Sequence, residues 1–341
     1  MSKMDELIRK INKDNEDIIS IGLPSYEHSR IPFSSPMMNY CTYGGIPIGN
    51  LVEFFGENHG GKTTTALDIV GNYQRMNTGK KVLYLDCENT LDSKWAKKIG
   101  VDIDDIYLLQ PKSQSAEQLF DYVLDSIATD EIGLVVIDSL GAMVSQQELE
   151  KSTDEKTYGG ISMPLSRFSK KAEMACHKYN CTIIGINQVR TVIGSMFPME
   201  DTPGGKAWKH LCNVRLQFRM GKYIDSKGNE VSRNVENPAG NIVQMTMIKN
   251  KTCPPLRRLG SYIINYLNGI DAMSDYIDLG IKYGFINKRG SFFDLVDGDT
   301  GELKYDNKIQ GQSTLVELLN TNEDLYNWLK ESVMKKMEID N

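Results

Sequence analysis

Apolar residues recur with two different periods along this chain, and the changes between them mark out its parts. Near the start, Met4, Leu7, Ile8 and Ile11 fall on one helical stripe between charged positions, which predicts a short amphipathic helix over 4–19. Gly22 and Pro24 break it, and the Pro-, Ser-, Gly- and Tyr-rich stretch up to Gly49 predicts an irregular connector. A helix set apart in this way needs a partner surface for its stripe. From Asn50 to Gln188 short apolar runs alternate with helical patterns. Strands are predicted at Leu51–Phe55, Val82–Asp86, Ile106–Leu109, Leu134–Asp138 and Thr182–Asn187, with helices after Lys62, Ser93, Ser115 and Met163. That alternation is the signature of a mostly parallel sheet flanked by helices, an α/β fold. The run Leu134-Val135-Val136-Ile137 carries no polar alternation, as a central strand buried on both faces requires.

Beyond Gln188 a period of two takes over. Val214–Arg219, Ile242–Ile248 and Leu259–Leu267 predict an antiparallel extension, and the polar stretch from Gly221 to Gly240 predicts a surface hairpin. From about Gly269 a small α+β unit is expected, with helices near 274–283, 313–319 and 322–336. The expected division is a helix and connector over 1–45, an α/β core over 46–268 and a C-terminal domain over 269–341. No internal repeat is seen.

A 40% hydrophobic and 25% charged composition is that of a globular protein able to build a core. The first residues carry charges every few positions, and no apolar run approaches the length of a membrane span, so a soluble, cytoplasmic protein without membrane contact is expected. The six cysteines form no CxxC pair, which fits reduced thiols in a core. A net charge of -6 means that any nucleic-acid binding must come from local patches.

The chemistry enters at Gly56-Glu57-Asn58-His59-Gly60-Gly61-Lys62-Thr63, followed by Thr64. This is a complete P-loop in its required setting between a predicted strand and a predicted helix. Its glycines let backbone N–H groups point at the β- and γ-phosphates of ATP, and the helix adds its positive end. Lys62 would neutralise phosphate charge and Thr63 would offer a hydroxyl to Mg²⁺. Asp138, at the carboxyl end of the central strand, lies where ligands bind in such sheets and is assigned to the Mg²⁺ site. Hydrolysis also needs a group to activate water. Glu88, two residues beyond its strand, is a candidate, with Asp86 and Glu57 as competitors.

Four segments in order, GGIPIGNLVEFFGENHGGKTT, LDCENTLDSKWAKKIGVDID, VVIDSL and INQVRTVIGSMF, resemble bacterial RecA recombinases and the related recombinases of phages. The resemblance resumes at TPGGKAWKH, at IKNK and from YIDLGIKYGFI to the C-terminal helices, covering nearly the whole chain from Ile46. It implies a RecA-type ATPase core with an N-terminal polymerisation helix. The implied activity is a DNA-stimulated ATPase that forms a helical filament on single-stranded DNA and exchanges strands with homologous duplex DNA. Single-strand-binding and mediator proteins are implied loading partners.

By the same resemblance, Glu88 is the catalytic base, Asp92 and Trp95 contact adenine, and Gln188 senses the γ-phosphate. The loop from Arg190 to Gly205 resembles the family's second DNA-binding loop. Ile193, Met196 and Phe197 suit it independently, since apolar residues in a loop without helix or strand period can wedge between bases while cations such as Arg190 and Lys206 hold phosphates. A lid over the nucleotide is the alternative. Six basic residues against two acidic ones from Arg190 to Lys222, a balance of +4, predict a basic face. The first DNA loop is expected between Glu148 and Pro164, where Met163 replaces a usual arginine and Arg167 and Lys170 stand in. Lys249 and Lys251 are implied to reach the γ-phosphate of a neighbouring protomer. The connector departs from the family pattern and a long acidic tail is missing, which suggests a phage or divergent bacterial member. Two other readings stay open: a ring-forming helicase with the same core, and a DNA-coating protein without catalysis.

Overall fold

The structure is a computed structural model of the chain and describes all residues except 1, 15–28, 153–154, 156–158, 192–199, 227, 233, 299, 340 and 341. Helix α1 spans Lys3–Asp14, and the remainder of the predicted 4–19 helix lies outside the described residues. The connector is not irregular throughout. Strands β1 (Arg30–Ile31) and β2 (Ile46–Pro47) pair with each other, and between them runs a seven-residue helix, α2 (Pro36–Thr42). Ser35 caps α2 by accepting from the Met38 N–H, and Pro36 occupies the first turn, where its missing N–H costs nothing. Its Met38 and Cys41 are fully buried.

The core follows as β3 (Leu51–Gly56), α3 (Lys62–Arg75), β4 (Lys81–Asp86), α4 (Ser93–Ile99) and β5 (Ile106–Leu109). It continues with α5 (Ala116–Ala128), β6 (Ile132–Asp138), α6 (Gln146–Glu150), α7 (Ser162–Tyr179) and β7 (Thr182–Gln188). The signals that place these helices are local. Asp92 caps α4 by accepting from the N–H groups of Lys94 and Trp95, and Ser115 with Gln118 closes a capping box on α5.

A short pair, β8 (Arg190–Thr191) and β9 (Glu200–Asp201), leads into α8 (Gly205–Leu211). Next come β10 (Val214–Ile224), β11 (Glu230–Val231), β12 (Gly240–Asn250), β13 (Leu259–Asn265) and β14 (Gly269–Ile270). The polar stretch read as a hairpin from Gly221 begins later than expected, because β10 continues to Ile224 and pairs there with β11.

One sheet joins these strands in the order β14-β13-β12-β10-β3-β7-β6-β4-β5, with β11 on β10. Pairing is parallel from β10 through β3, β7, β6 and β4 to β5, and antiparallel from β10 out to β14. Side-chain alternation splits the sheet into two cores. Leu134, Val136, Ile184, Ile186 and Phe218 pack with α3 on one face, while Val135, Ile137 and Ile183 pack with α5, α7 and Trp208 of α8 on the other. Burial on both faces is why β6 reads as one continuous apolar run, and each large aliphatic side chain so buried contributes about 1.5–3 kcal/mol.

The last segment comprises α9 (Ala272–Tyr283), β15 (Ile286–Arg289), β16 (Phe292–Leu295), β17 (Ile309–Gln310), α10 (Gln312–Thr321) and α11 (Glu323–Ile339). It has its own apolar cluster around Leu279, Leu295, Leu315, Leu329 and Val333, against which Met37 and Tyr40 of α2 pack. The short helix that the sequence hid is therefore the piece that joins the N-terminal connector to both clusters.

Candidate nucleotide-binding and catalytic site

The carboxyl ends of β3, β4, β6 and β7 meet at one edge of the sheet, and the P-loop spans from β3 to α3 there. Gly56 has φ 149°, and a Cβ on it would lie 1.9 Å from the Phe218 carbonyl oxygen of β10, so only glycine lets the loop leave β3 here. The loop then exposes Glu57, Asn58 and His59 and turns into α3 at Gly61. Lys62 is buried, and its Nζ donates to the carbonyls of Gly56 at 3.0 Å and Glu57 at 2.6 Å. Burial lowers the Lys62 pKa, with the negative charges of Asp138, Glu88 and Glu57 opposing the shift.

Thr63 Oγ1 donates to Asp138 Oδ2 at 2.8 Å, and the Tyr84 hydroxyl donates to the same oxygen at 2.9 Å. Burial raises the Asp138 pKa, and these two hydrogen bonds work against the rise. Glu88 stands beside this pair: Ser139 Oγ, next to Asp138 in the chain, donates to Glu88 Oε1 at 2.6 Å. Its competitors are placed otherwise. Asp86 is buried and accepts from the N–H groups of Thr90 at 3.2 Å and Leu91 at 3.1 Å and from Gln110 Nε2 at 3.1 Å, so it shapes the loop that carries Glu88. Gln188 ends β7 directly opposite Gly56.

A cavity of about 550 Å³ adjoins the P-loop, within the size range of ligand sites. It is lined by His59 to Thr64 with Trp95 beside them, and by Met220, Tyr223, Asn241, Ile264 and Tyr266. Trp95 Nε1 donates to Thr64 Oγ1 at 3.2 Å, which fixes the ring against α3. Asp92 uses Oδ1 for the α4 cap. The wall made by Met220, Tyr223, Asn241, Ile264 and Tyr266 was not foreseen, because these residues come from β10, β12, β13 and the segment after β13 and meet only through strand register. Glu53 was also missed, although a carboxylate inside an otherwise apolar strand was a visible signal.

The family described as RecA N-terminal domain matches residues 4–271. This chain belongs to the RecA family. Protein RecA of Paracoccus denitrificans is 32% identical over 298 residues, 87% of this chain and 78% of that protein. Protein RecA of Aquifex pyrophilus is 34% identical over 283 residues, covering 82% and 78%. As a RecA-family recombinase the chain has a role in homologous recombination, and the ring-helicase reading is not favoured.

The RecA-type residues expected on DNA are spread more widely. Ile193, Met196 and Phe197 lie outside the described residues, as does part of the segment between Glu148 and Pro164. Arg190 and Lys206 are exposed at the two ends of the second loop, and Arg167 and Lys170 are exposed on α7. The basic face needs correction. Lys209 pairs with Asp201, Arg215 with buried Glu53 at 2.5 Å, and Lys222 with Glu230 at 2.5 Å, so at least three of the counted cations are matched by carboxylates. Lys249 and Lys251 lie away from the P-loop, where Lys249 Nζ donates to the carbonyls of Lys209 at 2.9 Å and His210 at 2.7 Å. Lys251 Nζ reaches the His210 carbonyl at 3.5 Å, so both amines close the C-terminal end of α8. No helix among the described residues is long and apolar enough to cross a membrane.

Proposed function

We propose that the chain is a DNA-dependent ATPase that assembles as a helical filament on single-stranded DNA and pairs it with homologous duplex DNA in the cytoplasm. The observation that carries this reading is that Thr63 of the P-loop, which lines the cavity, bonds to Asp138, whose neighbour Ser139 holds Glu88, in a chain of the RecA family. ATP would lay its phosphates on the backbone N–H groups from Glu57 to Thr63, with Lys62 turning from its loop carbonyls to the phosphate oxygens. Trp95 and Asp92 would take the adenine.

The oxygen donors Thr63 Oγ1 and Asp138 Oδ2 suit Mg²⁺, a hard cation. Bound there, Mg²⁺ would offset the charge on the β- and γ-phosphates. Glu88 accepts the proton of the attacking water, Ser139 orients Glu88, and Gln188 reports the γ-phosphate to the loop behind it. Arg190, Ile193, Met196, Phe197 and Lys206 would hold DNA in that loop, with Arg167 and Lys170 serving the first. Lys249 and Lys251 act on the neighbour's nucleotide. Residues 1–45 link protomers, 46–268 form the ATPase core and 269–341 form a C-terminal domain, with single-strand-binding and mediator proteins as loading partners.

Electron microscopy of the protein with single-stranded DNA and a non-hydrolysable ATP analogue tests the reading. Helical filaments are expected. Closed rings, with unwinding but no strand exchange, would overturn it.

A further inference from the structure

Behind the catalytic residues, one buried carboxamide holds both ends of the 189–202 loop. Asn187 is fully buried at the end of β7. Its Nδ2 donates to Glu53 Oε1 at 3.1 Å and to the Pro203 carbonyl at 2.9 Å, while its Oδ1 accepts the Gln188 N–H at 3.1 Å. The chain thus leaves β7 and returns at Pro203 on opposite sides of a single side chain.

Glu53 fixes which way that side chain faces. It is fully buried, and its other oxygen lies 2.5 Å from Arg215 Nε. A salt-bridged carboxylate only accepts hydrogen bonds, so the amide must turn Nδ2 toward it and Oδ1 toward Gln188. Strand alternation places Gln188 on the α3 face with Ile184 and Ile186, and Asn187 on the opposite face. On that face a Cβ at Gly141 would lie 3.6 Å from both Asn187 Oδ1 and Pro203. Gly141 belongs to the turn that follows Asp138.

We propose that Asn187 is a positioning residue that ties Gln188 to Pro203, so that nucleotide-driven movement of Gln188 is passed to the far end of the loop. This rests on the roles given to Gln188 and the loop under the proposed function. Both ties at the loop ends are to backbone groups, so they act independently of the side chains the loop carries.

Asn187→Asp removes both donated bonds and sets a second carboxylate against Glu53. Adding Glu53→Gln restores a donor–acceptor pair between the two positions at unchanged net charge, yet supplies no donor to Pro203. Binding to a single-stranded oligonucleotide is measured with an ATP analogue and with ADP, alongside nucleotide affinity and melting temperature. The double variant should melt near wild type and bind nucleotide normally, while losing about 10-fold or more of the ATP-over-ADP preference in DNA affinity. A wild-type preference in the double variant overturns the tie. No preference in the wild-type protein would instead overturn the roles of Gln188 and the loop. Should both variants fail to fold, hydrogen exchange on the wild-type protein decides: protection at the Gln188 amide and at the Thr202 and Gly204 amides flanking Pro203 should change together on analogue binding, and a change confined to Gln188 overturns the proposal.

Discussion

The Thr63 hydroxyl and the Asp138 carboxylate meet at 2.8 Å, joining the first turn of α3 to the end of β6. Both groups are proposed to serve Mg²⁺, and each also steadies the other. Asp138→Asn should therefore lower Mg²⁺-supported ATP hydrolysis by about 100-fold or more, equivalent to roughly 3 kcal/mol of transition-state stabilisation. Steady-state ATPase assays against Mg²⁺ concentration check this, and a wild-type rate and Mg²⁺ dependence would remove Asp138 from the site.

Glu88→Gln should slow hydrolysis by about 10²–10⁴-fold while nucleotide and DNA binding persist, because the change removes a base and leaves the phosphate contacts intact. Lys62→Ala should instead remove nucleotide-dependent DNA binding. Ser139→Ala frees Glu88 from its 2.6 Å hydrogen bond and should cost less than Glu88→Gln itself. Single-turnover hydrolysis, measured beside nucleotide affinity, separates these outcomes; a fully active Glu88→Gln protein would show that another group activates water.

The parts legible in the sequence were those dictated by short-range physics. β6 could be read because burial on both faces leaves no polar alternation, and the P-loop because its backbone admits only glycine at positions such as Gly56. What depended on distant partners could not be read. Arg215 looked like part of an open basic face until β10 and β3 brought it against Glu53, 162 positions away in the chain. The helix Pro36–Thr42 was hidden by its seven-residue length and its Pro- and Ser-rich surroundings, since its apolar side gains a meaning only between two clusters.

Asp275 gives the fold a pH dependence of known sign. Buried in α9, it accepts from the Ser35 hydroxyl and from the Met37 N–H at 3.3 Å. Burial pushes its pKa up to about 8 from the ordinary 3.8, the hydrogen bonds from Ser35 and Met37 oppose the rise, and Asp278 and Asp271 add to it. The folded state therefore holds a proton that the unfolded chain releases, so this group's contribution is full below 3.8 and is lost as pH rises through about 8. Asp275→Asn keeps an acceptor for Ser35 and removes the titration. Its melting temperature relative to wild type should climb across that window, reaching a gain of about 2 °C or more, and then level off. A parallel pair of melting curves at all pH values would refute the assignment.

Lys249 and Lys251 allow assembly and chemistry to be tested together. Lys249 stands opposite Arg215, which stands opposite Glu53, three residues before Gly56 on β3. That is about 10 Å along the sheet from the start of the P-loop, two strands away, with both amines turned to the end of α8. From there they are poorly placed to serve their own nucleotide, and by the family resemblance they are proposed to serve a neighbour's. Lys249→Ala with Lys251→Ala should abolish DNA-stimulated ATP hydrolysis although the P-loop is intact. Lys62→Ala protein should be inactive for the opposite reason. In a head-to-tail filament of equal parts of the two, about a quarter of the interfaces pair an intact P-loop with intact lysines. The mixture should therefore recover activity approaching that fraction, rising and falling with the mixing ratio. If the two variants co-assemble on DNA and the mixture stays inactive at every ratio, the lysines do not act across the interface.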